Sequence, residues 1–451
     1  MYPLTFAQVA SILGLESNNQ SLISKVIIDS RQAKPGSLFF ALPGTHVDGH
    51  QYVPDVLAKG GFAVVKTEYG SGEGILPVSD PLLALQQLAA EYLKQHPVPV
   101  IAVTGSNGKT TTKDLIAQVL SKKFVVHKTK GNFNNELGLP LTILELEPEH
   151  EIMVLEMGMR GLGEIAALAE LAPPDVAVIT NVGPVHLELL GSLENVAQAK
   201  TELLEKLSPE GLAILNGDDS LLRLHSYKAP LVWFFGEQAD NQLQASNINI
   251  DQNGLASFTC HWQEQKVFVK LSVPGKHNVL NSLAAIAVGL HFGISLADCA
   301  AGLKDANLTE MRLEVIEGPR GVKIINDAYN ASPASMAAAL DTVKSMASEG
   351  RKVAILGDMF ELGSVAEQAH QELGRLASQA CDYLIYVGSY AALVKKGAED
   401  EGLSPADIHI YSQVSDLIQN LEKLIADQDL VLVKASRGMA LEQVVDALLE
   451  R

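Results

Sequence analysis

The amino-acid sequence predicts an α/β protein built from three domains. Three observations carry that expectation. Apolar runs and helical runs alternate along most of the chain, the pattern of parallel strands covered on both faces. A length of 451 residues corresponds to roughly three domains at about 150 residues each. A composition 47% hydrophobic and 19% charged is that of sizeable packed cores, and it excludes disorder over most of the chain.

The elements follow in order. Residues 5–13 read as a helix stopped at Gly14, and 25–28, 37–41 and 62–66 read as strands between turn clusters. Pro81 opens a helix to about residue 95, with Leu82, Leu85, Leu88, Ala89 and Tyr92 at helical spacing. Apolar runs at 98–103, 152–155 and 175–179 then alternate with helices at 109–121, after Gly161 and at 192–207. Between 243 and 271 the pattern turns to polar/apolar alternation, which predicts an antiparallel edge. Helices at 279–291 and 296–303 close this region. From Arg312 a fresh alternation begins, with apolar runs at 322–325, 353–356, 383–387, 408–411 and 430–433. Boundaries are expected near 80 and 310, giving domains 1–80, 81–310 and 311–451.

Charge and cysteine content narrow the function. The chain has 53 acidic and 34 basic residues, a net charge of −19, and no Lys/Arg block, so nucleic acid is excluded as a partner. No basic residue precedes Lys25, and the most apolar stretch, 282–303, is broken by His291, Asp298 and glycines. Neither a signal peptide nor a membrane span is expected. Cys260, Cys299 and Cys381 are too few and too scattered for a disulfide framework or a zinc signature. A soluble cytoplasmic protein is expected.

The sharpest motif is Gly105-Ser106-Asn107-Gly108-Lys109-Thr110-Thr111, between an apolar strand and a helix. Backbone N–H groups and a helix N-terminus face an anion there, a lysine reaches the outer phosphates, and a threonine hydroxyl reaches Mg²⁺. The spacing is a shortened form of the common phosphate loop, whose first glycine would fall at Val103. Glu156, ending the run 152–155, supplies the acid that a metal–nucleotide site requires.

The phosphate loop, Glu156, Asn181-Val182-Gly183-Pro184-Val185-His186 and Lys200 together resemble the ATP-dependent Mur ligases of bacterial peptidoglycan synthesis. Segments 131–140, 157–161, 326–333 and 356–363 add to the resemblance in the expected order across all three domains. It implies a small nucleotide-sugar domain, a central phosphate-loop domain with a mostly parallel sheet, and a C-terminal Rossmann-like domain. The implied reaction is amide formation with ATP and Mg²⁺: ATP converts a carboxylate to an acyl phosphate, and an amine displaces phosphate. Among members, the Asn134-Asn135 loop and Asn326-Asp327-Ala328-Tyr329-Asn330 resemble those of the one joining D-alanyl-D-alanine to UDP-N-acetylmuramoyl-tripeptide. A tripeptide-forming Mur ligase and a folylpolyglutamate synthase-like ligase are the alternatives. A GTPase switch is excluded because the chain has no Asn-Lys-x-Asp segment.

By this resemblance Lys109, His186 and Lys200 are catalytic, and Thr110, Glu156, His186 and Lys200 belong to the metal region, with Lys200 carbamylated. Residues 105–111, Asn278, Asn281, Arg312 and Asp327 are expected at ATP. Ser30 and Arg31 are expected at uridine diphosphate, and Asn134, Asn135, Tyr329 and Asn330 at the muramoyl peptide. Lys434, Ser436 and Arg437 are further cleft candidates. Closure about a hinge at 306–312 is expected, and a monomer suffices.

Overall fold

The wholly buried strand Val100–Thr104 organises the central part of the chain. In a computed structural model that describes residues 1–44, 47–305 and 309–450, this strand lies inside a nine-stranded sheet. From one edge the order is Val126–Lys128, Ile152–Glu156, Val100–Thr104, Val176–Ile179, Leu212–Asn216, Leu231–Gly236 and Leu243–Ile250, all parallel. Leu255–Trp262 and Gln265–Pro274 complete it as the expected antiparallel edge. Hydrogen-bond register sets the site. Val103 pairs with Glu156 and Thr104 with Ile179, so three strands end side by side where open α/β sheets bind ligands.

The third region forms a six-stranded sheet, antiparallel only where Glu314–Glu317 joins Lys323–Asn326. Asn326 is level with Val433, and Leu356 with Lys434, which brings Asp327, Lys434 and Gly357 to a common edge. The first region holds a parallel four-stranded sheet, Lys25–Ile27, Ser37–Phe40, Phe62–Lys66 and Ile75–Val78, and a two-stranded pair.

Helices on both faces complete the cores. Phe40 and Leu88 share one apolar cluster with Ala102 and Leu155, so the helix Pro81–Gln95 ties the first sheet to one face of the central sheet. The opposite face, with Ile101 and Val103, is covered by Leu115, Leu283 and Ile286 from the helices Lys109–Leu120 and Asn278–His291. Some elements differ from expectation. The expected helix at 192–207 is α-helical over Leu193–Thr201 and tightens to a 3₁₀ turn over Glu202–Lys206. Strands Val126–Lys128 and Ile75–Val78 were not expected, being short and only partly buried, the second carrying Pro77. Among the described residues no helix is long and apolar enough to cross a membrane.

Candidate functional site

The phosphate loop gets its shape from two glycines. Gly105 (φ 148°) and Gly108 (φ 79°) adopt backbone conformations costly for other residues. A Cβ at Gly108 would stand 2.6 Å from Asn281 Oδ1, and one at Gly105 would collide with the Thr180 hydroxyl. The loop is braced from the next strand end. Ser106 N–H donates to Asn181 O (3.0 Å), Asn107 N–H to Asn181 Oδ1 (3.0 Å), and Asn181 Nδ2 donates back to Asn107 O (3.0 Å). Thr180 Oγ1 adds a bond to Asn107 O (2.6 Å). This leaves the first-turn N–H groups of the helix Lys109–Leu120 without intrahelical partners, the arrangement that binds phosphate.

Lys109 donates to Gly105 O (2.9 Å) and Ser106 O (3.4 Å), holding its ammonium over the loop. Burial lowers its pKa and neighbouring Arg312 adds to the effect, while Glu156 opposes both. Glu156 is 2% exposed. Its Oε1 accepts from Asn134 Nδ2 (2.7 Å), and its Oε2 is buried without a hydrogen-bond partner. A buried carboxylate oxygen left unpaired is costly unless a cation meets it. With the Thr110 hydroxyl lining the same cleft, the donor set fits Mg²⁺ shared with phosphates. That metal needs only one or two protein carboxylates, and among the described residues no larger ligand cluster exists.

A cleft of about 1050 Å³ separates this edge from the edge of the third sheet. It brings together Ser106 to Thr111, Glu156, His186, Asn134, Asn135, Asn278, Asn281, Arg312, Asp327, Tyr329 and Asn330, with Lys434, Ser436 and Arg437. Arg312 crosses it: Nη2 donates to Thr110 Oγ1 (3.2 Å), the guanidinium lies 4.1 Å from the Tyr329 ring centroid, and Nε is buried without a partner. Lys434 pairs with Asp327 (2.6 Å) and donates to Asn330 O (2.8 Å). Burial lowers the pKa of Lys434, against the pull of Asp327.

Several expected residues have a different setting. The Asn278 and Asn281 amides are used inside the protein. Asn278 Nδ2 donates to Pro274 O (2.7 Å), Asn281 Nδ2 to Asn278 Oδ1 (2.8 Å), and Thr112 Oγ1 to Asn281 Oδ1 (3.2 Å). These bonds brace the loop, and each amide keeps a second N–H while both residues line the cleft. Asn135 Oδ1 accepts the N–H groups of Leu137 (3.3 Å) and Gly138 (3.0 Å), fixing the turn into the helix Gly138–Leu144. Ser30 and Arg31 lie outside the cleft, where Arg31 pairs with Asp29 (2.9 Å) on the surface. Of the expected hinge, 306–308 lies outside the described residues.

Lys200 does not line the cleft, but it is 2% exposed on Leu193–Thr201, with no hydrogen-bond or ion-pair partner among the described residues. Burial pushes its pKa well down, and Lys109 adds to the effect. The carboxylates near it in sequence are engaged elsewhere. Glu202 accepts the N–H groups of Gly163 (2.7 Å) and Ala166 (3.2 Å), and Glu205 pairs with Lys228 (2.8 Å). His186 Nδ1 stands 2.5 Å from Glu361 Oε2 across the cleft, and burial lowers its pKa despite that carboxylate. Asn181, Ser332 and Glu361 were not singled out as site residues from sequence. Ser332 donates to Asn107 Oδ1 (2.7 Å), a second contact across the cleft. All three lie in segments that carried the family resemblance, but their partners are far away in the chain.

The geometry agrees with comparison to known proteins. Family models match at 22–93 (Mur ligase family, catalytic domain), 103–289 (Mur ligase middle domain) and 311–437 (Mur ligase, glutamate ligase domain). The chain belongs to the Mur ligase family. Its similarity extends end to end: it is 42% identical to UDP-N-acetylmuramoyl-tripeptide–D-alanyl-D-alanine ligase of Bacillus subtilis, over 96% of this chain and 94% of that one. Among solved structures it resembles MurF from Acinetobacter baumannii (33% identity, TM-score 0.90, all of both chains). It also resembles the MurF ligase of Thermotoga maritima in complex with ADP (30% identity, TM-score 0.82, 95% of this chain and 97% of that one).

Proposed function

We propose that the protein is an ATP-dependent amide ligase that joins D-alanyl-D-alanine to the tripeptide of UDP-N-acetylmuramoyl-tripeptide. The observation that carries this reading is full-length likeness to ligases of that name combined with a phosphate loop and an unpaired buried carboxylate facing one cleft. The reaction takes place in two steps. A carboxylate oxygen of the tripeptide attacks the γ-phosphorus of ATP, the bond to the β–γ bridging oxygen breaks, and ADP leaves. The dipeptide amine then attacks the acyl carbon, the C–O bond to phosphate breaks, and the amine's proton passes to phosphate or solvent.

The physical obstacle is the approach of two anions. Lys109 and Arg312 answer it from opposite walls, donating to phosphate oxygens as charge moves toward the bridging oxygen. Glu156 and the Thr110 hydroxyl would hold Mg²⁺, which supplies neutralisation of the phosphate charge. His186 assists at the metal region, and Asn134 holds Glu156 while facing the muramoyl peptide. Tyr329 and Asn330 contact substrate from the third domain, and Ser30 and Arg31 hold the uridine diphosphate. Lys200 works as a carbamate. A buried lysine with a depressed pKa is neutral enough for its nitrogen to add CO₂ and lose a proton, and the resulting anion suits the metal region where an ammonium does not. All these groups come from one chain, so a monomer suffices, working in the cytoplasm beside its ATP supply.

The test is an amine panel. With ATP, Mg²⁺ and UDP-N-acetylmuramoyl-tripeptide, ADP and a product heavier by the dipeptide are expected with D-alanyl-D-alanine. Equal turnover with glutamate or a diamino acid in its place would overturn the assignment.

A further inference from the structure

A buried group of charges lies on the phosphate-loop helix away from the cleft lining. Lys113 and Asp114 are 1% and 2% exposed among Leu115, Ile116 and Val119 of the same helix. Every one of their polar contacts is specific. Asp114 Oδ1 pairs with Lys128 (2.6 Å) and Lys113 (3.3 Å), and Asp114 Oδ2 accepts both the backbone N–H (2.9 Å) and the hydroxyl (2.7 Å) of Thr309. Lys113 donates to Thr129 O (2.8 Å), and Thr129 Oγ1 accepts the N–H of Glu156 (3.0 Å).

Burying such charges gains little net stability, because desolvation offsets the attraction. What it does supply is placement. Thr309 stands in the segment joining the central sheet to the third, three residues before Arg312. Two donors from one residue on one carboxylate oxygen fix both the position and the direction of the chain there. The backbone that follows is strained: Met311 (φ 58°) and Leu313 (φ 50°) are left-handed without being glycine. Such a segment persists only if held at both ends. Downstream, Leu313 N–H donates to Asp327 Oδ1 (3.2 Å). Upstream, the hold is Asp114.

We propose that Asp114 is a positioning residue: through Thr309 it anchors the inter-sheet segment to the phosphate-loop helix and so sets where Arg312 stands against Thr110 and the nucleotide phosphates. This rests on the reading above that Arg312 serves ATP. The phosphate loop thereby carries the fixed point for the arginine that must meet it from the other domain.

Asp114→Asn strands two lysines and risks misfolding, so the test uses the half-buried end of the contact, Thr309. Thr309→Val keeps shape and N–H but removes the hydroxyl donor, and Thr309→Ser restores it. In the full-length enzyme, Thr309→Val should raise the KM for ATP roughly fivefold to tenfold. The KM values for both peptide substrates and the melting temperature should stay at the wild-type level, and Thr309→Ser should recover ATP affinity. In an Arg312→Ala background Thr309→Val should add nothing, because the effect passes through that guanidinium. A wild-type KM for ATP in Thr309→Val, or an undiminished loss on top of Arg312→Ala, would overturn the anchor while leaving the Arg312 assignment intact. If Arg312→Ala itself binds and uses ATP normally, the assignment of Arg312 fails and the anchor's role fails with it.

Discussion

At the scale of single residues, the site is built of cations and carboxylates whose burial is matched to a charged ligand. Lys109 is held by two loop carbonyls and contributes nothing to an apolar core. Lys109→Ala should therefore keep the fold and melting temperature while ligation falls by at least about a hundredfold. Near-normal turnover in a folded variant contradicts its assignment. Lys200 is the reverse case, a buried amine with no ion-pair partner among the described residues, its neighbours Glu202 and Glu205 being committed elsewhere. Lys200→Ala should lose most activity, and a short-chain carboxylate added to the assay should restore part of it by placing an anion in the space left. Full activity without rescue contradicts the carbamate. These residues were legible in the sequence because each lies within a short motif. The contacts that brace the loop and His186 were not, because Asn181, Ser332 and Glu361 meet Asn107 and His186 only after distant strands are brought together.

At the scale of elements, the phosphate loop works because glycine takes up two backbone conformations that are costly for other residues. Gly108→Ala combines a left-handed backbone, worth roughly 1–2 kcal/mol, with a contact to Asn281 Oδ1 at 2.6 Å. A lowered melting temperature and a raised KM for ATP are expected, with the KM for peptide substrates less affected. The loop 356–363, which carries Glu361, depends on a buried histidine. His370 Nε2 accepts the N–H of Met359 (2.9 Å), Nδ1 donates to Ala366 O (2.7 Å), and the ring stacks on Tyr390 at 4.0 Å. Burial lowers its pKa from the ordinary 6.5, against Ala366 O and Asp358. Below 6.5 the unfolded chain then binds protons that the folded chain resists, so stability is full above 6.5 and falls as pH drops through the depressed folded value. Melting measured from about pH 7.5 to 5.5 should show this loss, with a shallower slope in His370→Gln. An unchanged slope contradicts it. The sheet order was partly legible at this scale. Continuous apolar runs marked three of the central parallel strands and alternation marked the antiparallel edge, whereas Leu212–Asn216 and Leu231–Gly236 were not read, and Val126–Lys128, three residues on a sheet edge, carries too little pattern to be read.

At the scale of the whole molecule, two sheets end on one cleft, and few polar contacts cross it: Arg312 to Thr110, Ser332 to Asn107 and His186 to Glu361. Substrates must enter between these walls, so the ligand-free protein should have a larger radius of gyration in solution than the protein saturated with an ATP analogue and the tripeptide. An identical radius contradicts closure. The three-domain α/β plan was legible from length and alternation, and the resemblance added the order of the parts. The cleft was legible only through the resemblance, which offered Asp327, Lys434, Ser436 and Arg437 for it; nothing in local sequence states that Asp327 and Lys434 pair on an edge facing Lys109. The central claim is that ATP is spent on the tripeptide carboxylate itself before the dipeptide attacks. Its most direct measurement uses tripeptide labelled with heavy oxygen in that carboxylate, with D-alanyl-D-alanine, ATP and Mg²⁺, and follows the label by mass spectrometry. One labelled oxygen per turnover should appear in the released inorganic phosphate, with ADP as the other product. Unlabelled phosphate, or AMP in place of ADP, would contradict the account.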